Sequence, residues 1–197
     1  VTTPSGPAQR AMLQDALADA GLNGDKIDFV ETHGTGTPLG DPIEVSAIAR
    51  VLCENRTKPL YLGAVKANVG HLDSAAGIVG LMKVVLSLQN ETIPMHLNFS
   101  EPNRHIPWDD WPIKLPLENT VWKGKERYAG VSAFGMSGTN VHLIVGQAPK
   151  KENWGLKQSE VISGEQILTL SANSQSALYE VAAVSYTHLR AHETSQH

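Results

Sequence analysis

Hydrophobic and polar positions change period several times along the 197 residues, and each change marks an element. Residues 7–20 place Ala11, Met12, Leu13, Ala16, Leu17 and Ala20 at helical spacing, with Gly21 where a helix would stop. Residues 26–32 are a short β-rich run leading into the glycine-punctuated loop 33–40. A second helix is expected from Asp41. Asp41 can cap it, Pro42 suits its first turn, Glu44 completes a capping box, and Val45, Ile48, Val51 and Leu52 continue the apolar stripe. Residues 60–65 read as a strand, 66–71 as a loop, and Asp73 as the start of a helix running to about Gln89. That helix is apolar nearly all round (Ile78, Val79, Leu81, Met82, Val84, Val85, Leu86), which predicts burial on most sides.

Residues 92–122, rich in Pro, Trp and Asn, read as an irregular excursion with short strand pieces around 113–117. Residues 127–134 and 141–146 read as two strands around the loop 135–140. Strand–helix alternation closed by a hairpin-like pair predicts a layered α/β domain over residues 1–148. Residues 149–184 begin a second unit: a linker to about 164, a strand-like stretch at 167–170 and a helix from Ser176. Residues 185–197 keep no clear period and are expected to form a non-native or disordered tail.

Composition narrows the function. Hydrophobic residues at 41% and charged residues at 18% are those of a globular protein. The net charge of −4, with Lys and Arg scattered, argues against nucleic-acid or acidic-membrane partners, and no apolar run is long enough to span a bilayer. The one cysteine, Cys53, rules out an internal disulfide and suits a reducing cytoplasm. It falls near a helix C-terminus beside Glu54, where its pKa should rise, so a packing role is expected. The first residue, Val1, suggests a chain that begins inside a larger gene product.

The chemistry concentrates in loops. His33 ends a strand and opens a run of small residues; His71 follows Lys66 by five positions and precedes the expected helix start at Asp73. A helix N-terminus favours a neutral imidazole, able to donate one N–H to an oxygen that becomes anionic. Either histidine alone could be structural, but the pair at matching places is harder to assign to packing. His142 alternates with Val141 and Leu143 and reads as structural. No nucleotide-binding glycine motif occurs, and no third ligand clusters with the two histidines, so no metal is expected.

Three segments carry a resemblance: VETHGTGTPLGDPIE at 30–44, VKANVGHLDSAAG at 65–77 and GVSAFGMSGTNVH at 130–142. They resemble the ketosynthase (β-ketoacyl synthase) domains of modular type I polyketide synthases and, more loosely, the condensing enzymes of fatty-acid synthesis. The resemblance covers residues 1–148, with 167–173 similar to the start of a ketosynthase–acyltransferase linker. It implies the C-terminal half of a thiolase-like fold, a layered α/β arrangement with a mixed five-stranded sheet. It also implies decarboxylative condensation of an acyl thioester with a malonyl-type extender, both carried on the phosphopantetheine of acyl carrier protein, with no cofactor bound by this segment.

By the same resemblance His33 and His71 are the histidines that bind the thioester carbonyl and promote decarboxylation, Lys66 is the active-site lysine, and Glu44 is its carboxylate partner. Thr35 and Thr37 contact the pantetheine arm, Phe134 is a gating aromatic, and Gly135 belongs to the same substrate-facing turn. Glu44 is equally well read as a capping residue, Thr35 and Thr37 as turn residues, and Phe134 as core. The implied partners are acyl carrier protein, the upstream half of the ketosynthase and a second copy in a parent homodimer. The family nucleophile is a cysteine of that upstream half, so this polypeptide alone should be silent and, with a packing partner missing, poorly soluble or molten. The alternatives are a non-catalytic dimerisation or carrier-docking module and, more weakly, a thiolase-type enzyme.

Overall fold

The computed structural model describes residues 4–149 and 170–193. The chain divides into two compact units, Val1–Pro149 and Lys150–His197. The linker and the short strand expected at 167–170 fall almost wholly outside the described residues.

The first unit opens with α1 (Gly6–Ala20), where the Ser5 hydroxyl accepts from the Ala8 N–H and Gly21 takes the left-handed conformation at the C-cap. Strand β1 (Ile27–Glu31) follows, then α2 (Gly40–Leu52), β2 (Leu60–Gly63) and a single helical turn, α3 (Lys66–Val69). Helix α4 (Ala76–Gln89) comes next, then the short strands β3 (Thr92–Ile93), β4 (Ile113–Lys114) and β5 (Thr120–Val121), and the long pair β6 (Tyr128–Phe134) and β7 (Asn140–Gly146).

Five strands form one mixed sheet in the order β4-β2-β1-β6-β7, and β3 pairs with β5 in a separate two-stranded sheet. The β4–β2, β2–β1 and β1–β6 pairings are parallel, and only β7 runs antiparallel, to β6. Each face of the sheet carries its own core. On one, Leu13 of α1 and Val45, Ile48 and Leu52 of α2 pack on Val30, Leu60 and Leu62. On the other, Val84 and Leu88 of α4 pack on Phe29, Ala129 and Val131, with Trp122 edge-on to Phe29 at 6.1 Å between ring centroids. Burial of each such side chain contributes roughly 1.5–3 kcal/mol.

Three sequence expectations about this unit need correction. Helix α2 begins at Gly40 with no side-chain cap, so Asp41 does not cap it and Glu44 closes no capping box. Residues expected as a loop include the turn α3. Asp73 sits at φ +46° and opens a 3₁₀ turn, with α4 proper starting at Ala76. The outer side of α4 is uncovered, as expected for a helix missing a packing partner: Ile78 is 55% exposed, Met82 57% and Leu86 56%.

In the second unit, helix α5 (Gln175–Glu193) begins after Ser174, whose hydroxyl accepts from the Ala177 N–H at 3.2 Å. Residues 185–193 of the stretch expected as a non-native or disordered tail continue this helix, and residues 194–197 lie outside those described. No helix among the described residues is long and apolar enough to cross a membrane.

Candidate active site

The parallel strands β2, β1 and β6 lie side by side, so their C-terminal ends open on one rim of the sheet. Each end carries a residue singled out from sequence: His33 beyond β1, Lys66 beyond β2, and Phe134 at the end of β6. His71 reaches the same rim from the segment leading into α4. The imidazoles of His33 and His71 stand nearly perpendicular at 6.0 Å between ring centroids, and the Phe134 ring lies 5.1 Å from that of His33.

Backbone amides orient both imidazoles. The Phe134 N–H donates to Nδ1 of His33 at 3.3 Å, and the Asp73 N–H donates to Nδ1 of His71 at 2.9 Å. A ring nitrogen that accepts carries no proton, so in both rings the proton sits on Nε2. Two Nε2–H donors are thus available on one rim. The pKa of His33 is lowered from 6.5 to about 4, first by burial and then by the fields of Lys66 and the neighbouring His71.

The loop that holds His33 is fixed by a carboxylate. Glu44, 4% exposed, accepts from the His33 N–H at 2.7 Å and from the Gly34 N–H at 3.0 Å. Burial raises its pKa from 4.5 to about 7 against the opposing pull of those two amides. Glu44 therefore caps no helix, and among the described residues it acts on the Lys66 ammonium through its field, with no ion pair within contact distance. Gly34 must be glycine here, because its φ is +47° and a Cβ would lie 2.5 Å from Thr32 Oγ1 and 2.7 Å from the Ala64 Cβ.

Thr35 and Lys66 line a cavity of about 430 Å³ with Glu44, Asp41 and the segment containing His96, Phe99, Asn103 and Trp108. The cavity adjoins the Glu44–Lys66 side of the site, and neither His33 nor His71 lines it. Burial lowers the Lys66 pKa, which Glu44, Glu31 and Asp41 partly restore. The Thr37 hydroxyl accepts from the Gly40 N–H at 3.0 Å, as its turn reading expects. Gly135 donates to the Thr139 carbonyl at 2.8 Å and closes the loop after Phe134.

Two predicted bystanders stay so. Cys53 is buried at the end of α2, with its pKa raised mainly by burial and lowered by Arg56, so Glu54 is not the cause. His142 is 8% exposed, bonded through Nδ1 to Ser132 Oγ at 2.9 Å, and its pKa is lowered to about 4 by burial. Sequence reasoning missed Glu31, which is 1% exposed and forms an ion pair with Lys83 of α4 at 2.8 Å. The signal was present in Lys83, a lone charge within an otherwise apolar helix.

Residues 1–100 match the family described as "Beta-ketoacyl synthase, C-terminal domain", and residues 102–197 match "Ketoacyl-synthetase C-terminal extension". The chain is 44% identical over 188 residues to the erythronolide synthase EryA2 of Saccharopolyspora erythraea, covering 93% of this chain and 5% of that protein. It is 42% identical over 197 residues to the spectinabilin polyketide synthase system protein NorB of Streptomyces orinoci, covering 97% of this chain and 9% of the relative. Among solved structures, the ketosynthase from module 6 of the bacillaene synthase of Bacillus subtilis 168 superimposes with a TM-score of 0.71 at 37% identity, over 76% of this chain and 28% of that one. The chain thus spans under a tenth of the two synthases and over a quarter of a solved ketosynthase. The mixed sheet with its β1–β2–β6 rim is the C-terminal part of a thiolase-like ketosynthase, and the chain belongs to the β-ketoacyl synthase C-terminal domain family as it occurs in modular polyketide synthases.

Proposed function

We propose that the parent protein joins acyl thioesters by decarboxylative condensation, and that this segment supplies its oxygen-stabilising groups. The reading rests on one observation above all: two imidazoles 6.0 Å apart on one rim each accept a backbone N–H at Nδ1, which leaves Nε2 as the donor. In the reaction, a malonyl-type thioester on acyl carrier protein loses carbon dioxide. The electron pair of the broken carbon–carbon bond passes into an enolate, whose oxygen the Nε2–H groups of His33 and His71 stabilise. The enolate carbon then attacks an acyl thioester held on a cysteine of the upstream half, and the cysteine leaves as thiolate. Lys66 adds positive charge beside the developing anion, Thr35 and Thr37 meet the pantetheine arm, and Phe134 with Gly135 borders the path of the acyl chain. Glu44 acts through the loop it holds.

The chain alone is silent on this reading, since its single thiol, Cys53, is buried and held protonated. Its partners are acyl carrier protein, the upstream half and, in the parent, a second copy. A non-catalytic docking module would have no use for paired Nε2–H donors, which favours the enzymatic reading. The test is to restore the upstream half and replace His71 by Ala. Malonyl decarboxylation should fall about 100- to 1000-fold, while self-acylation by the acyl donor survives better. Unchanged decarboxylation would remove the role given to His71.

A further inference from the structure

Glu31 stands two residues before His33 on β1, and its carboxylate meets two other site-bearing segments. One oxygen accepts the backbone N–H of Val65, which immediately precedes Lys66. The other pairs with the ammonium of Lys83 on α4 at 2.8 Å. Both side chains are enclosed: Glu31 is 1% exposed and Lys83 13%.

The surroundings are cut to fit this pair. Gly80, one turn before Lys83, is small enough for α4 to close on the carboxylate, since a Cβ there would sit 3.2 Å from Glu31 Cγ. A Cβ at Gly63 would come within 2.9 Å of the Phe29 ring and 3.1 Å of the Lys83 ammonium, which itself lies 5.6 Å from the centroid of that ring. Such a pair is a poor device for stability, because two buried charges cost desolvation that a well-packed apolar pair avoids. What an apolar pair cannot do is accept the Val65 N–H.

We propose that Glu31, held in place by Lys83, is a positioning residue that sets the spacing between His33 and Lys66 for the reaction. The carboxylate clamps the end of β2 to the end of β1 at the point where both strands hand over to the site, and the ammonium fixes its direction. This rests on the condensing role proposed above.

The test uses the full-length synthase carrying this chain, with decarboxylation of a malonyl thioester as the readout. Glu31→Leu combined with Lys83→Met removes both charges and the acceptor. It is expected to fold, with kcat down by about tenfold to a hundredfold and KM held, as for a misplaced but intact group. Glu31→Gln combined with Lys83→Met restores a carbonyl acceptor for Val65 and should recover kcat to within about threefold of the parent. Full activity in the Leu/Met variant, or equal losses in both variants, overturns the proposal. So does failure of both to fold, which would make the pair purely structural. His71→Ala, run alongside, separates the two ideas: if it leaves decarboxylation unchanged, the condensing role fails and this inference falls with it.

Discussion

Met82 and Leu86, one helical turn apart on α4, present 57% and 56% of their surfaces to solvent. With Ile78 and Val85 they form an apolar strip on a helix whose opposite side is sunk in the core. A strip of this kind is the signature of a buried interface. Expressed alone, the chain should therefore aggregate or bind hydrophobic dyes. Replacing Met82 with Glu and Leu86 with Lys places an i,i+4 pair on the strip. The double variant should be more soluble, and should no longer be captured by the upstream half of the domain in a pull-down. A parent chain that is monomeric, dye-silent and sharply cooperative on melting would refute this.

In that solubilised background the state of His33 can be read by NMR. The ring should titrate near 4, with the proton on Nε2 throughout the neutral range. Its folded pKa lies below the ordinary 6.5, so its contribution to stability is full above that value and is lost as pH falls toward 4. An Nδ1–H tautomer, or a midpoint at 6.5, would contradict the Phe134 hydrogen bond.

Glu44 behaves with the opposite sign. Its folded pKa is about 7 against 4.5 unfolded, so its contribution is complete below 4.5 and lost as pH rises through 7. Glu44→Gln removes that dependence. Relative to the parent, the variant should gain on the order of 3 kcal/mol between the two ends of this range, whatever its offset from losing one amide contact. Parallel denaturation midpoints against pH would show that the carboxylate does not titrate there.

Gly130 faces the ring of His142, and a Cβ at that position would lie 2.5 Å from Cε1 and Nε2. Gly130→Ala should destabilise by roughly 1–3 kcal/mol through overpacking. In combination with His142→Ala the same change should cost far less, because the ring it strikes is gone. Additive losses in urea unfolding would argue that the two positions do not touch.

Much of the fold was legible because it depends on local signals. Gly21 ends α1 as expected, the β6–β7 pair brackets its loop, and the long motifs carried the family resemblance. The places that resisted are those where a side chain serves a distant partner. Glu44 has the spacing of a capping box, but its carboxylate turns to the amides of His33 and Gly34, two half-buried donors that need an acceptor. The Glu31–Lys83 pair joins a strand to a helix, and no periodicity connects the two. The apolar composition of α4 on all sides asked for burial, and the missing partner leaves its outer face exposed. Apolar residues on every side state that a helix wants partners, not that the partners lie within the same chain.

The rim formed by parallel strand ends separates two kinds of freedom. His33, Lys66 and Phe134 are fixed by the sheet, whereas the cavity beside them is walled on its far side by His96, Phe99, Asn103 and Trp108, from the excursion between β3 and β4. That wall can be rewritten, lengthened or stiffened without moving the proton donors. On the function proposed above, a change of accepted thioester would fall to this one excursion, with the chemistry left where it stands.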